Sequence, residues 1–483
     1  MTITYVSIIL TLYFGLLFIV AQITSYNASS ATFFVANRNA AWPLVAYGMI
    51  GVSISGITFI SVPGQVMENQ FSYFQMVMGY GAGLLIVAYV LLPVFYKIKA
   101  VSIYIYLRDR FSVEAQKTGS LFFLVAQTCT AAFKLFLMAH VLQVVLFAQL
   151  DLPFWLTVIV TLLLIWLYTY RGGIKTVIFT DILQTTFLLA SVIVSIWAVS
   201  NQLQIAVFGL IDKLESAGIS KIFIWDWKDP DNFYKMFFTG LLMTVMTNGM
   251  DQSVMQKHLT CKNIGDAQKN LVVLAIIILF VNLLFLLLGG ALFQYALEMN
   301  IELPGETDSV YPLLAINNLG TLVGTLFLLG IAAAAYSSAD SSLTGLTTSF
   351  CVDILGFSEY DENHVKKRQK IHLGFTLLIF LIIILFDKIN NESVLAAFIQ
   401  TTGYVYGPLV GLFAFGMLSN KHVNGRWIPL ICLVSPVASY AIDYLLPIFF
   451  NGYQLGYAVM LLNTLITFFG LVILSLFSNA KKE

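Results

Sequence analysis

Apolar stretches of membrane-spanning length recur from one end of this sequence to the other. About 20 residues of helix cross the hydrocarbon core of a bilayer, and backbone polar groups in lipid must find their partners within the protein. Of 483 residues, 59% are hydrophobic and 10% are charged, whereas soluble proteins carry about 25% charged residues. We therefore predict an all-α polytopic membrane protein with about 13 transmembrane helices. The predicted spans are residues 3–24, 42–67, 71–98, 118–149, 153–170, 175–199, 233–256, 268–298, 318–355, 369–386, 392–418, 426–447 and 453–478.

The distribution of Lys and Arg between the loops predicts the orientation of these spans. If the N-terminus lies outside, the inward segments hold 19 of the 25 basic residues, Lys257 among them, and the outward loops hold five. Cytoplasmic loops of membrane proteins are enriched in Lys and Arg. We therefore expect an integral protein of the plasma (inner) membrane, with the N-terminus outside and the C-terminus cytoplasmic. The first apolar run lacks a basic n-region and is interpreted as a retained helix.

Composition argues against several other classes of protein. The net charge of +0 gives no electrostatic support for binding nucleic acid. The four cysteines, Cys129, Cys261, Cys351 and Cys432, match no metal-binding spacing or disulfide framework. No nucleophile–base pair is apparent, so we do not expect an enzyme. The predicted partners are a small-molecule solute and the lipid bilayer, with no obligate protein partner indicated.

Residues 330–353 place a dense polar cluster inside a predicted span. The carboxylate of Asp340 lies among several hydroxyl side chains, and lipid strongly disfavours polar groups without partners. Oxygen ligands without sulfur or imidazole are typical of sites for hard cations. The cluster therefore favours an ion-coupled transporter. Six of these hydroxyl residues are Ser337, Ser338, Ser341, Ser342, Thr344 and Thr347.

The second span has the composition of a broken helix, because Gly and Ser are concentrated at residues 51–56. Unwinding there would free backbone carbonyls, which a membrane tolerates beside a filled cavity. We predict a Na⁺ site formed by the carbonyls of Gly51, Ile54 and Ala334 with the hydroxyls of Ser337 and Ser338. Neutral oxygens at about 2.3–2.5 Å suit Na⁺. The alternative is that the serines serve close helix packing.

Asp181 lies about two turns into the sixth predicted span, where an unpaired carboxylate is costly. It is interpreted as a cation ligand or proton carrier, with a structural ion pair as the alternative. Asp340 and Ser341 would extend the site towards Asp181 and hold a second Na⁺. Lys134 is the one basic residue deep within a predicted span. It would either meet an anionic solute or, as we favour, neutralise Asp181 or Asp340.

Uncharged polar groups suitable for a solute are also present in the spans. Gln400 begins a Gly- and Thr-containing interruption of the eleventh span, and its amide suits hydroxyl or carbonyl groups of a ligand. The other candidate solute-binding residues are Ser53, Ser55, Thr58, Gln75, Thr244, Thr247 and Asn248.

Several of these elements together resemble the sodium:solute symporter family. They are Arg-Gly-Gly-Ile-Lys-Thr-Val-Ile-Phe-Thr-Asp-Ile-Leu-Gln at 171–184, Ala-x-x-Ser-Ser-x-Asp-Ser at 334–341, Gly-x-x-x-Gly-Pro at 403–408 and the broken second span. The resemblance implies a LeuT-like core with a 5+5 inverted repeat. The whole chain, 1–483, would form one transporter domain, with an extra N-terminal helix and loop at 1–41, the ten-helix core at 42–418 and two C-terminal helices at 419–483.

The resemblance also implies roles for particular residues. The family's shared sodium site maps onto the five residues predicted above. Some members hold a second Na⁺ with an aspartate matching Asp181 and with hydroxyls on the serine-rich helix, at positions that in this chain are Asp340 and Ser341. Gln400 aligns with a glutamine of the sugar transporters, but their aromatic gate is absent. In sialic acid transporters, hydroxyls on the broken helix hold the ligand carboxylate, a role that Ser53, Ser55 and Thr58 would fit.

The sequence thus predicts Na⁺-coupled symport, with one or two Na⁺ ions, of a small polar solute that is sugar-like or sialic-acid-like. Transport would proceed by alternating access. The alternatives are a proton-coupled symporter of the same fold and a symporter for another solute class, such as an amino acid, a vitamin or an organic anion.

Overall fold

The computed structural model describes residues 3–143, 147, 150–227, 229, 231–358, 362–389, 394–449 and 459–479. Within these ranges every extended regular element is a helix, and one isolated bridge joins Ala40 to Cys261. The predicted all-α class is therefore confirmed. The principal helices are α1 (Ile3–Thr24), α2 (Trp42–Ser53), α3 (Gly56–Asn69), α4 (Tyr73–Ile86), α5 (Val113–Leu142), α6 (Phe154–Thr169), α7 (Ile174–Gln202), α8 (Phe233–Thr244), α9 (Gln252–His258), α10 (Ile264–Glu298), α11 (Thr321–Ser349), α12 (Val365–Ile389), α13 (Val394–Leu418), α14 (Ile428–Phe449) and α15 (Val459–Asn479).

Every predicted span overlaps one of these helices or a pair of them. Among the described residues, nine helices are long and apolar enough to cross a membrane, and the bent pair α2–α3 makes a tenth. Helix α6, with 16 residues, is shorter than this limit. The exact number of crossings therefore remains a prediction, as do the proposed domain boundaries.

The second span is broken at the predicted place. Helices α2 and α3 meet at an angle of 55°. The helical ladder ends where the Ile54 amide donates to the Ile50 carbonyl, and it resumes where the Phe59 amide donates to the Ser55 carbonyl. The Ser55 side chain caps α3 by accepting from the Thr58 amide at 3.4 Å. Carbonyls between the two ladders are thus released from regular helix pairing.

A second break lies five spans later, in the span formed by α8 and α9. A π-turn, Val245–Gly249, follows α8. Met250 and Asp251 then leave helical geometry, with ψ angles of 2° and 116°. The Asp251 side chain caps α9 by accepting from the Ser253 amide at 2.8 Å. This break was not predicted. Its five-span spacing from the first break matches an inverted repeat of five helices.

Helix α11 lies at the centre of the bundle, and every residue from Phe327 to Ser349 is buried. It packs most extensively on α7 and also contacts α2, α3, α5 and α12. Small residues allow this close approach. A Cβ added at Gly48 would lie 2.8 Å from the Asp181 Cβ, and one added at Gly330 would lie 2.8 Å from the Ser191 Cβ. The polar stretch of α11 is therefore enclosed by protein and turned away from lipid.

Candidate ion and solute sites

The break in span two lies directly against the serines of α11. A Cβ added at Gly51 would lie 3.5 Å from Ser337 Oγ, and one added at Gly56 would lie 3.6 Å from the Ala335 Cβ. Ser337 and Ser338 are 0% and 2% exposed. The two elements that the sequence predicts to form the Na⁺ site are thus adjacent, and both serines are enclosed.

The remaining members of that predicted set lie in the same region. Ile54 forms the break itself, and Ala334 lies one turn before Ser338 on α11; both are 0% exposed. Ligation by the carbonyls of Gly51, Ile54 and Ala334 remains a prediction.

Asp181 forms a buried ion pair with Lys257, a partner that the sequence did not suggest. The Lys257 Nζ lies 2.5 Å from Asp181 Oδ2, and each side chain is 1% exposed. Ser337 donates from its Oγ to Asp181 Oδ1 at 2.5 Å. The prediction that Lys257 lies in an inward loop is wrong, because the side chain projects from α9 into the bundle. Without Lys257, the predicted inward segments hold 18 basic residues.

Asp340 is fully buried and receives hydroxyl donors. Tyr168 donates to Asp340 Oδ2 at 3.0 Å, and Thr180 does so at 3.5 Å. Ser341 Oγ lies 3.2 Å from Asp340 Oδ1 and also donates to the Ser337 carbonyl at 2.6 Å. Asp181, Asp340 and Ser341 are therefore neighbours, as the second predicted Na⁺ site requires. However, Lys257 already pairs with one of its two carboxylates.

Lys134 does not form the ion pair that we favoured. Its Nζ donates to Ser338 Oγ at 2.8 Å, while Asp181 pairs with Lys257. The physical reason is reach: the Lys134 ammonium emerges from α5 onto the face of α11 that bears Ser338, one residue past the Asp181 contact at Ser337. The alternative, that Lys134 meets a solute, remains open, because Lys134 lines a cavity in the bundle.

That cavity has a volume of about 160 Å³ and lies between the two broken spans and α11. Its wall contains most of the predicted solute-binding residues. It also contains Ser338 and Ser341, so the cavity adjoins the predicted ion site. The predicted solute-binding residues in the wall are Ser53, Ser55, Thr58, Lys134, Thr244, Thr247 and Asn248.

Gln75 lies elsewhere and requires a correction. Its amide group is fully buried near the N-terminal end of α4, where it donates to the Asp231 carbonyl at 2.9 Å and accepts from the Ile224 amide at 3.0 Å. Both hydrogen bonds hold the loop after α7, and Gln75 is not part of the cavity wall. The register of α4 turns Gln75 away from the cavity. The Gln400 side chain lies outside the described residues.

Sequence reasoning missed a polar network in the cavity wall. Tyr406 Oη lies 2.9 Å from Asp251 Oδ2 and 3.0 Å from Gln127 Oε1. The Gln127 amide donates to Ser253 Oγ at 2.8 Å and to Ser342 Oγ at 2.9 Å. The available signal was local: Asp251 and Ser253 form an Asp-x-Ser capping pattern just after Asn248-Gly249. The network joins α5 to α9, α11 and α13 and gives the cavity wall one carboxylate as well as one ammonium.

Comparison with known proteins identifies the family. Residues 33–426 match the model of the sodium:solute symporter family. The chain belongs to this family. The match spans most of the chain and confirms the resemblance seen in the 171–184, 334–341 and 403–408 motifs.

Two curated bacterial relatives have similar lengths. The sodium/sialic acid symporter NanT of Aliivibrio fischeri is 26% identical over 406 residues, covering 81% of this chain and 78% of the relative. The sodium/sialic acid symporter SiaT of Proteus mirabilis is 26% identical over 421 residues, covering 82% and 80%.

A solved structure supports the fold of this symporter. A substrate-bound, outward-open Na⁺-coupled sialic acid symporter superposes with a TM-score of 0.83, at 21% identity, and covers 98% of both chains. The agreement confirms the predicted LeuT-like fold.

Proposed function

We propose that this protein carries a small, polar, carboxylate-bearing solute across the inner membrane together with Na⁺, by alternating access. The observation that carries the proposal is the position of Lys134. Its ammonium lines the bundle cavity and donates to Ser338, a predicted Na⁺ ligand. One side chain thus links the space for a solute to the space for the ion.

The chemistry of the predicted ion site suits Na⁺. Ser337 donates its hydroxyl hydrogen to Asp181, so the lone pairs of its oxygen remain free for a cation. The nearby carboxylate also makes that oxygen a better cation ligand. Freed carbonyls at the break of span two supply further oxygens. Entry of each Na⁺ gains about 2.3 kcal/mol per 100 mV of membrane potential.

The polar groups of the cavity support a sialic-acid-like solute. The Lys134 ammonium is positioned to meet a carboxylate. Hydroxyl and amide side chains of α2, α3 and the π-turn after α8 are suited to the hydroxyl and acetamido groups of an acidic sugar. Two similar curated proteins are sodium/sialic acid symporters. N-acetylneuraminate is therefore the proposed test solute.

Uptake by purified protein in proteoliposomes tests this function. An inward Na⁺ gradient is expected to drive N-acetylneuraminate uptake, and choline at the same pH is expected to abolish it. Ser338→Ala removes one cation ligand and is expected to lower uptake at least tenfold, a loss equivalent to about 1.4 kcal/mol. The control is Ser475→Ala, which removes a buried serine that bonds within its own helix.

Other outcomes separate the alternatives. Uptake driven by a pH gradient without Na⁺ would favour proton coupling. A Na⁺-dependent rise in the protein's melting temperature with an amino acid, a vitamin or another organic anion, and none with sialic acids, would reassign the solute class. Equal uptake in Na⁺ and choline, with no pH dependence, would overturn the proposal.

A further inference from the structure

We infer that the Lys257 ammonium takes the place of a second Na⁺, so that a single Na⁺ accompanies each solute. The inference deepens the proposed function and rests on it. Its basis is the buried pair in which Lys257 Nζ lies 2.5 Å from Asp181 Oδ2. An internal positive charge stands where the carboxylate would otherwise hold a soluble cation.

The oxygens of Asp181 are both engaged. Oδ2 faces the Lys257 ammonium, and Oδ1 accepts the Ser337 hydroxyl at 2.5 Å. A Na⁺ bound to Asp181 would have to share an oxygen with one of these donors, next to the positive charge of Lys257, or displace the ammonium. Displacing Lys257 would leave an ammonium without its carboxylate in a position that is 1% exposed, which is strongly unfavourable.

The position of Lys257 in the fold makes the pairing a fixed part of the site. Lys257 lies near the end of α9, the short helix that follows the break in the seventh span. Helix α9 packs against α11 and contacts α7 and α2. The residues on either side, Gln256 and His258, are each 0% exposed. The side chain therefore has no solvated position to retreat to without movement of α9.

Asp340 does not restore a second metal site. Its carboxylate accepts from Tyr168 at 3.0 Å and lies beside Ser341 and Thr180. These hydroxyls provide the hydrogen bonds that water would give the Asp340 carboxylate in solution. A Na⁺ placed between the two carboxylates would also be repelled by the adjacent ammonium.

Lys134 does not close the predicted Na⁺ site at Ser337 and Ser338 in the way that Lys257 closes the one at Asp181. Lys134 contacts a neutral hydroxyl, Ser338, and lies on the wall of a cavity. Its ammonium has room to move towards a solute anion. Lys257 contacts a carboxylate and is absent from the cavity wall. The ammonium at Asp181 is therefore permanent, and the one at Ser338 is displaceable.

Equilibrium binding of radioactive Na⁺ to the purified full-length protein tests the inference without a solute. We expect saturation at one Na⁺ per protein with a Hill coefficient of about 1, and loss of that ion in Ser338→Ala. Saturation at two ions in the unaltered protein would overturn the inference and leave the proposed function standing. Absence of any Na⁺ binding would instead contradict the proposed function.

Removing the ammonium gives a second, independent result. Lys257→Met keeps an unbranched side chain but frees Asp181, and the folded variant is expected to bind two Na⁺ ions. Lys262→Met changes an exposed lysine just beyond α9 and is the control, expected to bind one. A folded Lys257→Met protein that still binds one ion contradicts the inference. If this variant does not fold, the stoichiometry of the unaltered protein decides.

Discussion

Single side chains determine the arrangement of charges around α11 in the centre of the bundle. The bundle holds two lysines close to consecutive serines of α11: Lys257 reaches Ser337 through Asp181, and Lys134 reaches Ser338 directly. Since a charge held partly or wholly away from water is costly without a partner, each ammonium favours a negative charge beside it. For Lys257 that charge is Asp181, and for Lys134 we propose the solute carboxylate.

Lys134→Met tests this assignment at the residue scale. Its ammonium lies 2.8 Å from Ser338 Oγ and therefore repels a Na⁺ at that hydroxyl. Without solute, we expect the variant to bind Na⁺ about tenfold more tightly, a modest share of the roughly 4 kcal/mol for unit charges 4 Å apart in a partly polar medium. Binding of N-acetylneuraminate is expected to weaken at least tenfold.

Radioactive Na⁺ binding and isothermal titration with the solute measure the two effects. Lys134→Arg keeps the positive charge and is the matched control, expected to preserve solute binding. An unchanged Na⁺ affinity in Lys134→Met would show that the ammonium does not compete with the ion.

Broken helices are the elements on which the proposed mechanism depends. The break in α2–α3 was visible in the sequence, because Gly and Ser are concentrated at 51–56 and local chemistry disfavours helix there. The break in α8–α9 lacks such a concentration. It depends on a π-turn and on the Asp251 cap, which local propensity does not specify. Contacts with the rest of the bundle select it.

Gly51→Ala tests whether the α2 break must lie tightly against the core. The added Cβ would lie 2.6 Å from Thr185 Oγ1, which also accepts the Gly51 amide. Displacing α2 from α7 and α11 is expected to cost about 1–3 kcal/mol of stability and to weaken Na⁺ binding. Gly374→Ala is the control, because its Cβ meets nothing within 4 Å.

Thermal unfolding of the detergent-solubilised protein, with and without Na⁺, measures both effects. We expect a lower melting temperature and a smaller Na⁺-induced rise for Gly51→Ala only. If both glycine variants behave like the unaltered protein, the close approach at Gly51 is not required for the ion site.

At the scale of the whole molecule, the enclosed polar core is surrounded by apolar helices. Helix α11 is buried along most of its length, whereas α12 and α14 expose many large apolar side chains, as expected of helices that face lipid. The arrangement encloses the predicted ion ligands Ser337 and Ser338 within protein. The orientation follows from the bias of basic residues between the loops and remains a prediction.

Cysteine labelling in intact cells tests that orientation. In a Cys129→Ser background, a cysteine replacing exposed Lys221 is expected to react with an impermeant maleimide from outside. A cysteine replacing exposed Lys262 is expected to react only after permeabilisation. The remaining native cysteines are buried, and the labelling of a protein that contains only these cysteines gives the background signal. The reverse pattern would invert the topology.

The sequence by itself determined the membrane class, the helical spans, the serine-rich helix and the first break. These features are local: hydropathy and Gly/Ser content act over a few turns of chain. The tertiary structure decided which charges meet. Asp181 and Lys257 are 76 residues apart, Lys134 and Ser338 are 204 apart, and Asp251 and Tyr406 are 155 apart. Several carboxylates, the buried Lys257 and the half-buried Lys134 allow many pairings with similar local chemistry, and only the packing of α5, α7, α9 and α11 selects among them.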